Sequence, residues 1–263
     1  MIRPSGLAIY AGLYLAFLYV PVLFLPLFSF NDGTIVAFPI KGWTLEWYRQ
    51  LGDQDTLIQA LLNSLLVGVV TASLSTSMGL FAARAYVRYR FKGKEASEGL
   101  VMLPLVIPGI IVASSMLVLF ISIGIKPSLT AIILGHTFLA LPFAVSIMKS
   151  AFDDFDASLE EAAFDLGSSV VETFRRVTLP IVAPGIVASL LVTFTVSFDE
   201  FVLAFFLSGN QPTLPVYIWS QIRFPAKLPN TLALGSLLLL ASVFLLVVAE
   251  YFRRRSIKSL AKG

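Results

Sequence analysis

Apolar residues in this chain come in long runs separated by short charged stretches. Read between flanking charges, the runs lie near 7–29, 58–83, 99–121, 128–148, 181–206 and 230–250. Each matches or exceeds the roughly 20 residues that carry a helix, at about 1.5 Å per residue, across a hydrocarbon core about 30 Å thick. The pattern predicts an all-α membrane protein with six transmembrane helices in a single domain over 1–263. The first run, Leu7 to Phe30, is too long for the h-region of a secretory signal, and no small-x-small cleavage site follows it, so it is expected to be the first span. Composition agrees: 57% of residues are hydrophobic and 13% charged, and a mean hydropathy of +0.86 excludes a soluble domain with a wetted surface.

The net charge of +3 conceals an asymmetry. Arg84, Arg88, Arg90, Lys92, Lys94, Lys149, Arg175, Arg176, Arg253, Arg254, Arg255, Lys258 and Lys262 fall on one side of the predicted spans, against Lys41, Arg49, Lys126, Arg223 and Lys227 on the other. The richer side is the cytoplasm by the positive-inside rule. Six spans then put both termini inside, in agreement with Arg3, and the basic clusters read as topology signals rather than a nucleic-acid site. With no cysteine, disulfides, thiol catalysis and thiolate metal sites are excluded. The single histidine, His136, falls in span four and cannot build a multi-histidine metal site; an interhelical hydrogen bond or a proton relay remain as its readings.

Proline changes the picture inside the third run. Pro104 and Pro108, followed by Gly109, remove backbone hydrogen bonds and predict a bend or unwinding from Pro104 to Gly109, of the kind tolerated beside a cavity. The longer outer loops, 31–57 and 207–229, carry Trp43, Trp47, Tyr48, Tyr217 and Trp219. These suit a membrane–water interface, or contact with a delivery protein or solute.

The inner loop at 150–180 differs from the basic loop at 84–98 by its acids: Asp153, Asp154, Asp156, Glu160, Glu161, Asp165 and Glu172. Ser158 and Glu161 have capping-box spacing, and Leu159, Ala162, Ala163 and Leu166 recur at helical spacing. Gly167 is placed to end that helix in the left-handed conformation. Ser169 with Glu172 predicts a second box opening a helix to about Val177, closed by Pro180. Such a compact helix–turn–helix suits a knob for a partner's groove. Periodicity alone leaves it equally a mere connector.

Glu161-Ala162-Ala163, three residues, Gly167, nine residues, then Val177-Thr178-Leu179-Pro180 resembles the EAA loop of binding-protein-dependent ABC importer permeases, with valine at 177 where isoleucine is commoner. The resemblance extends to Asn63-Ser64-Leu65, Tyr89-Arg90-Phe91-Lys92-Gly93 and Ser197-Phe198-Asp199-Glu200, and is strongest to the smaller permease subunit of the spermidine/putrescine group. It implies a type I ABC importer permease (MetI-like) fold in a bacterial inner membrane. It implies a coupling helix seated in a nucleotide-binding subunit, with Glu160, Glu161, Ala162, Ala163, Asp165, Leu166 and Gly167 as contact or hinge residues. The implied partners are two ATPase subunits carrying ATP and Mg²⁺, a second permease subunit and an extracytoplasmic solute-binding protein. No cofactor is expected on this chain itself.

Asp199 and Glu200 fall inside span five, where a carboxylate needs protein, water or a cation beside it. Helical spacing predicts Thr193, Thr195, Asp199 and Glu200 on one face and Phe194, Phe198, Phe201 and Phe205 on the other. The acids, with Thr195, Pro108 and Trp219, are candidates for a pathway that takes a polyamine, or else they hold a gate. No phosphate-binding glycine loop with lysine occurs, so ATP hydrolysis is expected on a partner. Permeation of another amine, an opine or an amino-acid derivative stays open. So does ion-coupled secondary transport using Asp199, Glu200 and His136 as relays.

Overall fold

The computed structural model describes residues 6–260, and the side chains of residues 6–244. Arg3 and Lys262, and the side chains of Arg253, Arg254, Arg255 and Lys258, which entered the topology argument, lie outside the described set. The described chain is helical, and among these residues the sole β-pairing is an isolated bridge between Asn31 and Trp43. Among the described residues five helices are long and apolar enough to cross a membrane, or six if a bent pair counts as one span. The chain forms two compact units, 1–58 with 218–263, and 59–217.

In the first unit, α1 (Gly6–Ser29) packs on α11 (Leu228–Leu260), with α2 (Glu46–Leu51) against α11. Polar links set this packing: Ser29 and Ser236 hydroxyls lie 3.3 Å apart, and the Asn230 amide donates to Gln50 at 3.2 Å. Two of the outer-loop aromatics have internal tasks. The Trp47 indole donates to the Asn31 carbonyl at 2.8 Å, and the Tyr48 hydroxyl bonds Ser29 at 2.6 Å. Trp43, by contrast, is exposed.

The second unit is built on α3 (Asp55–Arg88), α6 (Leu129–Asp153) and α9 (Leu179–Asp199). Their contact is backbone-close because glycine lies at the crossings: a Cβ on Gly79 would sit 2.7 Å from the Ala144 methyl, and one on Gly185 2.5 Å from that of Ala151. In a bilayer, where apolar burial gives helices little reason to associate, small residues and hydroxyls supply the attraction. Here Thr76 of α3 bonds Ser189 of α9 at 2.9 Å.

Two expectations change and one is met. The second run does not stop at 83: α3 continues to Arg88, since charged side chains at a helix end can be paired as well as solvated. Arg84 and Arg88 are therefore in a helix and largely covered, not in a basic loop. The third run breaks where proline predicts it, into α4 (Lys94–Met102), a 3₁₀ turn at Leu103–Leu105 and α5 (Gly109–Ser122), whose axis turns by 104°. Finally, Pro180 closes nothing. A continuous helical path runs from Val170 to Asp199, through α8 (Val170–Thr173) and a π turn at Phe174–Thr178. The wider turn just before Pro180 shifts the hydrogen-bond register, so the missing proline N–H is absorbed in the first turn of α9.

Candidate functional site

The inner loop folds as α7 (Ser158–Asp165), a turn at Gly167, and α8. Its caps differ from expectation in part. Ser158 is already helical; its N–H is accepted at 2.9 Å by Asp156 Oδ1, because a carboxylate two residues upstream is the stronger acceptor at a positive helix end. Accepting that N–H holds the Asp156 carboxyl below the ordinary aspartate range. At the second start, Ser169 Oγ accepts the Glu172 N–H at 3.3 Å. The Glu172 carboxylate does not return the bond and pairs with Arg176 at 3.2 Å. Gly167 has φ +86°, the left-handed region that side chains disfavour.

The predicted apolar stripe of α7 is not a buried face. Ala163 is buried, but Leu159 and Ala162 are exposed and Leu166 is 88% exposed. Phe164, Val170 and Val171 are exposed beside them, as are Glu161 and Asp165. These apolar side chains have no cover within the described chain.

Glu160 takes the opposite direction and is 8% exposed. Its Oε1 lies 3.4 Å from Arg84 Nη2 and its Oε2 3.5 Å from Arg88 Nε, and the Thr178 hydroxyl donates to Oε1. The guanidinium of Arg84 lies 4.6 Å from the Phe174 ring centroid, and that of Arg88 4.9 Å from the Phe155 ring. Nothing in the loop's own periodicity pointed to these partners. The available signal was the four-residue spacing of Arg84 and Arg88, one face of a helix had span two been extended past its first charge.

In the fifth run the helix breaks at the acids. α9 ends at Asp199, Glu200 is extended (φ −71°, ψ 118°), and α10 (Val202–Leu207) follows. The two carboxylates therefore do not share a face, as a continuous helix would require. Glu200 accepts the N–H groups of Val202, Leu203 and Ala204 at 3.1, 2.8 and 3.3 Å, the groups that a helix start leaves without acceptors and that are costly in an apolar surrounding. His136 of α6 bonds Ser197 through Nδ1 at 2.9 Å, and its Nε2 lies 3.5 Å from Glu200 Oε2, which gives the histidine the interhelical hydrogen bond. Asp199 and Thr195 are exposed on α9, and the Thr195 hydroxyl bonds back to the Leu191 carbonyl at 2.9 Å. The phenylalanines fall into two ring pairs, Phe194 with Phe198 before the break and Phe201 with Phe205 after it, each with centroids 5.6 Å apart. Pro108 stands exposed at the head of α5. Trp219 belongs to the other unit, where it is half-exposed with the Arg223 guanidinium 5.6 Å from its ring. Among the described residues no group of three or more His, Cys, Asp or Glu could hold a metal ion.

Comparison with known proteins gives the same outline. Residues 75–258 match the family described as binding-protein-dependent transport system inner membrane component. The chain is 34% identical over 242 residues to the spermidine/putrescine transport system permease protein PotC of Haemophilus influenzae, covering 92% of this chain and 93% of that one. It is 32% identical to the putrescine transport system permease protein PotI of Escherichia coli K12, covering 92% and 88%. Among solved structures it resembles a chain of a bacterial ABC transporter involved in the import of the acidic polysaccharide alginate, with TM-score 0.72, 17% identity and 94% of each chain covered; at that identity the likeness speaks for the fold. The chain belongs to the binding-protein-dependent transport system inner membrane component family and is a permease subunit of an ABC importer.

Proposed function

We propose that this permease carries a polyamine inward by alternating access, driven by a separate ATPase that docks on α7. The supporting observation is the outward-facing apolar surface at Leu159, Leu166, Val170 and Val171 on an otherwise acidic loop, a surface that burial against a partner would stabilise by about 1.5–3 kcal/mol per fully covered side chain. The chain acts as one membrane domain crossing six times, the bent α4–α5 pair counting as one crossing, with both termini and the 150–180 loop in the cytoplasm. Glu161, Ala162, Asp165 and Leu166 form the docking face, Ala163 anchors it and Gly167 is its hinge.

Two nucleotide-binding subunits hold and hydrolyse ATP with Mg²⁺, a second permease completes the pathway, and an extracytoplasmic binding protein delivers the cargo. The likeness to spermidine and putrescine permeases over nearly the whole chain supports a polycationic cargo. Of the two acids, Asp199 is the one for it: Glu200 is committed to three backbone N–H groups, whereas Asp199 is exposed. A close ammonium–carboxylate pair at an effective dielectric near 20 gains about 4 kcal/mol. Thr195, on the same helix, and Pro108, at the α5 break, serve the same pathway, and Trp219, in the other unit, is a further candidate contact for the solute.

Reconstitution tests this reading. Proteoliposomes containing both permeases, the ATPase facing the lumen and the binding protein outside should accumulate spermidine only with ATP enclosed in the lumen, and an uncoupler should leave uptake unchanged. Uptake that persists without the ATPase and collapses with the uncoupler would establish ion-coupled transport instead.

A further inference from the structure

By covalent connection the docking loop pulls on α6, which precedes it, and on the α8–α9 path, which follows it. The helix α3 is remote in sequence, yet it is fastened to the loop at both ends. Phe155 lies just before α7 and Phe174 just after α8, and each receives a guanidinium of α3 on its ring, Arg88 at 4.9 Å and Arg84 at 4.6 Å. Between them one carboxylate, Glu160, bridges both arginines and takes the Thr178 hydroxyl. Covered charges held this way resist separation, because pulling the carboxylate out leaves two guanidinium groups without compensation.

At the opposite end of the same helix, Asn63 donates to the Pro212 carbonyl at 3.0 Å and Ser64 Oγ accepts the Leu214 N–H at 2.7 Å. Ser64 and Arg84 are separated by about 30 Å of unbroken helix at 1.5 Å per residue. A rigid rod therefore runs from the docking loop to the segment that follows α10.

We propose that Arg84, Arg88 and Glu160 are positioning residues that clamp the docking loop to α3 and make α3 the lever delivering ATPase-driven motion to the chain at 212–214. The inference rests on the reading of α7 as the docking helix. Glu160 thus acts behind the docking face rather than on it.

The test uses the complete importer in proteoliposomes, with spin labels at Ala157→Cys, exposed just ahead of α7 and outside the docking face, and at Ser73→Cys, since the chain has no cysteine of its own. The label separation should be narrow and identical in the nucleotide-free and ATP-bound states. Glu160→Gln should broaden it and make it nucleotide-dependent; ATP hydrolysis should stay within twofold while spermidine uptake per ATP falls at least tenfold. Arg84→Lys, which keeps the charge, should lose less than Arg84→Gln. Should Glu160→Gln fail to assemble, Thr178→Val carries the same distance measurement with a smaller broadening. A label separation that changes with ATP in the unaltered importer overturns the clamp, as does an unchanged separation in Glu160→Gln, or release of the ATPase by that variant. Failure of the docking reading shows elsewhere: the ATPase would then remain bound to Leu166→Glu.

Discussion

Two pairs of neighbouring acids, Glu160–Glu161 in the inner loop and Asp199–Glu200 in the fifth run, reach the same arrangement by different means. In each pair one carboxylate turns inward and is fully engaged, and the other is exposed. At the loop, the engaged acid is held by two guanidinium groups and a hydroxyl from other elements. In the fifth run, the engaged acid is held by its own chain, which breaks its helix to supply three N–H groups, with a histidine beside it. The difference follows from the medium. Near the aqueous side, long cationic side chains are available and tolerable; within an apolar span the cheapest compensation is the backbone's own donors. Each of these two acid pairs therefore divides into an engaged and an exposed member, a division that adjacency in the sequence does not show.

That division breaks first at Glu200. Glu200→Ala leaves the N–H groups of α10 without acceptors, each costing about 1–3 kcal/mol, so a loss of at least 3 kcal/mol is expected, read as a failed or strongly lowered melting transition of the purified complex. Glu200→Gln, which retains an acceptor oxygen, should melt between the two. At the loop, Leu166→Glu is expected to weaken retention of the ATPase by about 1.5–3 kcal/mol without altering the melting temperature of the permease; equal co-purification would remove the docking face. Asp199→Asn should leave stability within about 0.5 kcal/mol, as surface changes do, while spermidine uptake drops about tenfold, equivalent to roughly 1.4 kcal/mol. Unchanged uptake would return the pathway role to another residue. The smallest effect belongs to Asp156. Its carboxyl is held below the ordinary range by the Ser158 N–H, so its contribution is complete above the ordinary aspartate pKa and disappears as pH falls through the lowered value. Asp156→Asn should flatten the acid limb of loop stability, followed by amide exchange in α7, and leave neutral-pH behaviour nearly unchanged.

Much of this was legible in the sequence because it depends on local chemistry. Apolar run length located the long helices, Pro104 and Pro108 announced the 104° break, and Gly167 marked a turn that took φ +86°. Where reading failed, the decisive partner lay far along the chain. The α7 stripe was periodic, but periodicity does not say whether a face meets its own protein or another. The fifth run looked like one helix because no residue between Thr195 and Phe205 forbids helix; the break is set by what Glu200 can bond.

The sequence by itself determined that this protein lives in a membrane, which segments are apolar enough to cross it, and, through the loop at 150–180, the family to which it belongs. Tertiary structure alone decided the direction of each acid. Arg84 and Arg88 look like topology charges until α3 continues through them and Glu160 arrives from 76 residues away, and His136 has no assigned bond until α9 brings Ser197 to it. Hydrophobicity is a property of each residue and adds along the chain; charge compensation is a property of pairs, and only the fold chooses the pairs.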